Sequence, residues 1–146
     1  MKGDALPKED HITRLCGGSH ITEAGEPRAT AFFLKPKDSG SGLSVNWLEH
    51  LGLPSRAAEI TEIRRIMAEK FMKGVGSTAI LAVLNVGQAL SSVREESADN
   101  RELAILHEPS PRDPSHSGIH NYTIEEELIA ELLAGCVLDI YPAKEE

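Results

Sequence analysis

The sequence is poor in aromatic side chains, cysteine and positive charge, and it has no long apolar run. Aromatics make up 4% of its residues, so any core has to be aliphatic. Two cysteines, Cys16 and Cys136, cannot build a disulfide framework and read as small buried apolar residues. No window reaches the roughly 18 apolar residues of a membrane span, and Met1 to Asp10 lack the apolar centre of a signal peptide. The expectation is a soluble, cytoplasmic protein that does not associate with membranes. Fifteen basic against 23 acidic residues give a net charge of −8, which repels phosphate backbones, so general nucleic-acid binding is not expected. A phosphate-binding loop is missing too. Gly74-Val75-Gly76-Ser77-Thr78 follows a helical pattern and enters a strand pattern, the reverse of a phosphate loop, and has no Gly-Lys pair; it reads as a helix stop.

What remains is an ordinary globular composition, 40% hydrophobic and 26% charged over 146 residues. That is one domain's worth of chain. Residues 1–10 are polar and read as loosely ordered, residues 11–142 as the domain, and 143–146 as an acidic tail. His11 to Cys16 alternates polar and apolar side chains, the mark of a half-buried strand. Ala29 to Leu34 reads as a second strand and Leu43 to Val45 as a third, joined by the turn cluster Lys35 to Gly42. Asn46 can cap a short helix ended by Gly52. Pro54-Ser55 opens the longest helix, to about Lys73, with Ile60, Ile63, Met67 and Phe71 on one face and Ile66 beside them. Thr78 to Val86 is too continuously apolar for an exposed strand and reads as central. Gly87 to Arg101 reads as an irregular connection, and Leu103 to Leu106 as a strand that delivers His107 to its end. Thr123 and Glu126 form a capping box before a helix whose buried face is expected to be Ile124, Leu128, Ile129, Leu132 and Leu133, and Val137 to Tyr141 reads as a last strand. The fold class is α+β: a mixed or antiparallel sheet of five or six strands with two main helices on one face.

Chemistry concentrates in one polar segment, His107 to Tyr122, with three prolines, three histidines, two acids and an arginine. It reads as an ordered, proline-braced loop. His116 and His120 stand four apart with His107 and Asp113 nearby, a donor set that a divalent metal can use. That leaves His116 and His120 as metal candidates and a divalent ion as the one cofactor the pattern leaves open. The commonest role of such histidines is hydrogen bonding to loop backbone; acid–base catalysis is the other. Glu125 to Glu127 at the start of the following helix offset its dipole and disfavour a phosphate there, so the loop is expected to prefer a cation or a partner's positive edge. On the first strand, His11-Ile12-Thr13 resembles half of the His-x-Thr pattern of two-histidine phosphoesterases, and His20-Ile21-Thr22 repeats it. That family needs two such motifs on facing strands. Here they stand either side of a Gly-Gly break, and His116-Ser117-Gly118 does not complete the pattern. Cys16 with His20 is a candidate thiolate–imidazole pair, and Trp47 a candidate contact residue.

Two functions follow. The first is a protein-interaction or accessory module with a protein partner. The second is a small hydrolase or transferase with His116 or His120 as general acid/base, His107 and Asp113 as orienting groups, and His11 and Arg14 contributed from the neighbouring strand. They differ in whether those six residues converge around one concave pocket.

Overall fold

A computed structural model describes residues 3–35, 42–71 and 75–144. Its centre is β3 (Ile80–Asn85), in which five consecutive residues, Ile80 to Leu84, are buried. Such a run requires cover on both faces of the sheet, because successive side chains point to opposite sides. β1 (His11–Cys16) pairs with β3 along its whole length, and β2 (Leu43–Trp47) pairs with β1 only through Ile12–Trp47 and Thr13–Asn46. Beyond that point β1 and β2 diverge. β4 (Ala104–His107), β5 (His116–His120) and β6 (Asp139–Pro142) complete a six-stranded, wholly antiparallel sheet in the order β4-β5-β2-β1-β3-β6. The fold is thus α+β, as the sequence pattern implies.

The helices lie on both faces rather than on one. α1 (Arg56–Lys70) starts at Ser55, whose Oγ accepts from the Ala58 N–H at 3.1 Å, a Ser N-cap. It buries Ile60, Ile63, Ile66 and Met67 against Leu81 and Val83 of β3. On its outer side Arg65 bonds Glu62 at 2.7 and 2.8 Å and also pairs with Glu69. α2 (Val86–Glu96) and α3 (Glu127–Ala134) cover the opposite face, burying Ala89, Val93, Ile129, Ala130 and Leu133 with Ile12, Val45, Leu84, Ile105 and Ile119. α1 and its cluster draw on β1, β3 and β6 but on no residue of β4 or β5. Among the described residues, the β4–β5–β2 half of that face therefore carries no helix.

Three further expectations change. Ala29 to Leu34 is not a strand: Ala29–Phe32 is a 3₁₀ turn whose Phe32 is buried beneath α3, with the Phe32 carbonyl accepting from Tyr122 Oη at 2.7 Å. Gly87 to Arg101 is largely helix, capped by Asn85 Oδ1, which accepts from the Gln88 N–H at 2.8 Å. Val86, Ala89, Leu90 and Val93 supply its helical spacing, diluted by Gly87 and two serines. The polar segment after His107 contains β5, so only residues 108–115 form a loop.

From Gly3 on, the N-terminal segment runs beside β4. Gly3 N–H donates to the His107 carbonyl at 2.6 Å, His107 N–H to Asp4 at 2.8 Å and Leu6 N–H to Ile105 at 3.0 Å, which covers the β4 edge. The other edge ends on Pro142, which has no N–H to offer a further strand. α1 stops at Lys70, with Phe71 extended. Much of the turn expected over residues 35–42, the helix end at Lys73 and Gly74, and the last two residues of the acidic tail lie outside the described residues.

Leu81, fully buried in the central strand, tests this two-sided core. Leu81→Ala should lower the unfolding free energy by about 2–5 kcal/mol, read from urea denaturation. A loss below about 1 kcal/mol would mean that α1 does not cover β3.

Candidate functional site

The loop closes on a buried carboxylate. Asp113 is 1% exposed, and its oxygens accept from Asn46 Nδ2 at 2.8 and 3.0 Å, from Ser115 Oγ at 3.1 Å and from Lys70 Nζ at 3.3 Å. Asn46 Nδ2 also lies 2.9 Å from Ser115 Oγ. Ser110 and Asp113 exchange backbone bonds at 3.1 Å, and His116 N–H donates to the Asp113 carbonyl at the same distance. A buried carboxylate is tolerated only when its lone pairs are satisfied, and here three side chains from β2, the loop and α1 do so. Asp113 is therefore a structural node, not a free ligand or acid.

The histidines do not converge. His107 pairs across the sheet with Ser117, and strand neighbours alternate in face, so His107 points away from His116 and His120. Its Nε2 lies 2.8 Å from the Pro114 carbonyl. A carbonyl only accepts, so Nε2 carries the proton and Nδ1 is a bare lone pair. Nδ1 is buried without a hydrogen-bond partner, and the ring packs on Trp47 and His50 with centroids 5.1 and 4.6 Å away. Trp47 belongs to this packing and donates Nε1–H to Asp10 at 2.8 Å, so it is not an open contact residue. His11 is held by Glu49, through Nδ1 at 2.6 Å and its backbone N–H at 2.7 Å. Arg14, three positions on, points to the other face of β1 and braces the divergence of β1 and β2, donating to the Ala31 carbonyl at 2.9 Å and to Ser44 O at 2.8 Å.

On the helix-free half-face, His116 Nδ1 donates to the Glu108 carbonyl at 2.9 Å and Nε2 accepts from Ser44 Oγ at 3.2 Å. His120 Nε2 meets Glu108 Oε2 at 2.8 Å. Four residues of strand separate His116 from His120 by about 13 Å, too far to share an ion, which removes the basis of the metal reading. Among the described residues no group of three or more His, Cys, Asp or Glu is placed to hold a metal. The thiolate–imidazole pair fails as well. Burial pushes the Cys16 thiol up to about 11, while His20 is engaged with Thr30 Oγ1 at 2.9 Å. His20 sits on a 3₁₀ turn, so the second His-x-Thr copy lies on no facing strand.

What does converge is positive charge. Where β1 and β2 part, a cleft of about 320 Å³ is lined by Arg14, Lys35 and Lys70 with Ser44, Asn46 and the apolar Met67 and Phe71. Lys70 also lines a neighbouring cleft of about 500 Å³ between α1 and the loop, with Arg65, Arg112, Ile66 and Pro111. Sequence reasoning found Arg14 but missed Lys35, Lys70 and Arg112, which lie far apart in the chain. It also took Asn46 for a helix cap, although Asn46 falls in the alternation Leu43, Val45, Trp47. Beside the loop, the described lining of the neighbouring cleft carries Arg65, Lys70 and Arg112 together with Glu69 and Asp113. The Glu-rich start of α3 is occupied elsewhere, Glu126 taking Arg101 at 2.6 and 2.7 Å.

Compared with protein-family models, curated proteins and solved structures, the chain gives no significant match to any. The class is set by the architecture alone, a single α+β domain with one antiparallel sheet. No helix among the described residues is long and apolar enough to cross a membrane.

Asp113→Ala strands three donors and should destabilise the protein by about 3–5 kcal/mol, measured by denaturation. An effect under about 1 kcal/mol would show that the node is dispensable. The histidines give a pH dependence. Loss of surrounding water, then His107, holds His50 below its ordinary 6.5, and loss of water, then Lys35 and Arg14, does so for His20. A lowered histidine pKa favours the neutral form in the folded state, so this stability is complete above pH 6.5 and lost as the pH falls through the folded-state values. The melting temperature of His50→Gln and His20→Gln should fall less than wild type between pH 7.5 and 5.5 (about the histidine range). Parallel curves would reject the assignment.

Proposed function

We propose that the protein is an interaction module that docks an acidic, extended segment of a partner protein in the groove between α1 and the 108–114 loop. One observation carries this reading: in a chain of net charge −8, two adjoining clefts that share Lys70 gather Arg14, Lys35 and Arg112, while the acids of the second cleft, Glu69 and Asp113, are already paired with Arg65 and Lys70. The wall formed by the loop is held in place by Asp113, so little ordering is needed on binding. Ile66, Pro111 and Pro114 supply apolar contact between the cations. The scatter of the histidines speaks for binding over catalysis.

The alternative, a small hydrolase or transferase, has one contact in its favour. Ser44 Oγ donates to His116 Nε2, and His116 Nδ1 is oriented by the Glu108 carbonyl, the arrangement of a nucleophile, base and orienting acceptor. His11, His107 and Asp113 take no part in it.

Fluorescence anisotropy with a labelled eight-residue Asp/Glu peptide tests the docking reading against its Asn/Gln counterpart. The acidic peptide should saturate the protein and the amide peptide should not. Arg112→Glu should weaken binding about tenfold or more. Equal binding of both peptides, or an unaffected Arg112→Glu variant, would overturn it. Stoichiometric labelling of Ser44 by a fluorophosphonate, lost in His116→Ala, would favour the enzyme instead.

A further inference from the structure

We infer that the cleft at the divergence of β1 and β2 is a binding pocket for a small organic oxyanion, a carboxylate or phosphate carried on a short apolar group. This deepens the docking reading, since the pocket would seat the anionic end group or side chain that anchors such a segment.

The pocket follows from the sheet. β1 and β2 pair only at their Ile12–Trp47 and Thr13–Asn46 end, so Arg14–Cys16 and Leu43–Val45 leave a gap between them. Arg14 spans it, and its guanidinium is fixed by two backbone carbonyls, which removes rotamer freedom that a ligand would otherwise have to freeze. Lys70 enters from the end of α1. Its contact with Asp113 uses one ammonium hydrogen at 3.3 Å, and the other two have no partner among the described residues. Lys35 closes the third side.

Among the described residues, three cations and no acidic side chain line this space, although acids outnumber bases in the chain by 23 to 15. The field is felt nearby: after desolvation, Lys35 and Arg14 both lower the pKa of His20. The same lining carries Leu15, Met67 and Phe71, with Phe71 42% exposed. Apolar surface beside cationic donors describes a ligand with an anionic head and an apolar body. A volume near 320 Å³ is at the small end of ligand sites.

Isothermal titration with phenyl phosphate, phenylacetate and benzyl alcohol tests this. At least one of the two anions should bind saturably below about 10 mM, and which one does identifies the head group; benzyl alcohol should not bind. Lys35→Glu and Lys70→Gln should each weaken the anion about tenfold, with circular dichroism confirming that both fold, while Lys8→Gln, which lines a separate cleft, leaves it unchanged. Absence of saturable anion binding, equal binding of benzyl alcohol, or undiminished binding by folded Lys35→Glu and Lys70→Gln would overturn the pocket. Failure of the acidic peptide with success of the small anions removes the docking reading alone, and the converse removes the pocket alone.

Discussion

The arrangement of the candidate surface depends on one buried charge, the Asp113 carboxylate. It is removed from water at the junction of three separate pieces of chain, and each sends it a donor: Asn46 from β2, Ser115 from the loop's return and Lys70 from the end of α1. Without those donors an ionised carboxylate at that depth would cost several kcal/mol. With them, its position specifies theirs. The loop cannot lift from the sheet without stranding the carboxylate, and the end of α1 is drawn toward the loop. Such a polar node is a device for fixing geometry more than for adding stability, because an apolar replacement of equal shape would often be as stable.

The second constraint is unequal cover. α2 and α3 shield one face of the sheet, while α1 shields only the β1–β3–β6 part of the other. β3 is buried on both sides, whereas β5 has Ile119 inside and His116 and His120 on the uncovered side. Polar side chains there bond to one another and to backbone, as Glu108 does with both histidines. The groove lies at the boundary between covered and uncovered halves, where the end of α1 overhangs the parting of β1 and β2.

The legible parts of the fold carry one dominant periodicity. β1, β3 and α1 read directly from alternation, a continuous apolar run and three/four spacing, and the Ser55 cap was visible as well. α2 was hidden because Gly87, Ser91 and Ser92 dilute a helical pattern that Asn85 begins. β5 was hidden because histidine and glycine are poor strand indicators, although Ser117 and Ile119 against His116 and His120 is an alternation. The 3₁₀ turn at Ala29–Phe32 reads like a strand because tertiary packing, not local preference, decides the conformation of a short apolar run. The capping box is half formed: Glu126 accepts from the Thr123 N–H at 3.0 Å, but its carboxylate serves Arg101 too and the helix starts only at Glu127. At the site, the sequence marked Asp113 and the histidines as a cluster because they are close in the chain. Strand alternation then sends His107 and His116 to opposite faces, while Lys35, Lys70 and Arg112 meet only through the fold.

That difference bears on how net charge is used. A total of −8 governs long-range steering. It says little about a cleft, because screening confines an exposed charge to about 8 Å at physiological salt. Several of the acids are spoken for locally, Glu62 and Glu69 by Arg65, Glu126 and Asp99 by Arg101, and Asp113 by Lys70. In four of these pairs the base, Arg65 or Arg101, is thereby removed from ligand recognition, whereas Lys70 is merely pinned at one hydrogen and left facing the cleft. Asp113 thus contributes twice, holding the wall of the groove and aiming a cation into it. An acidic protein can in this way present a short, preorganised cationic surface, whose preference is for a single anionic group held close rather than for a charged polymer at a distance.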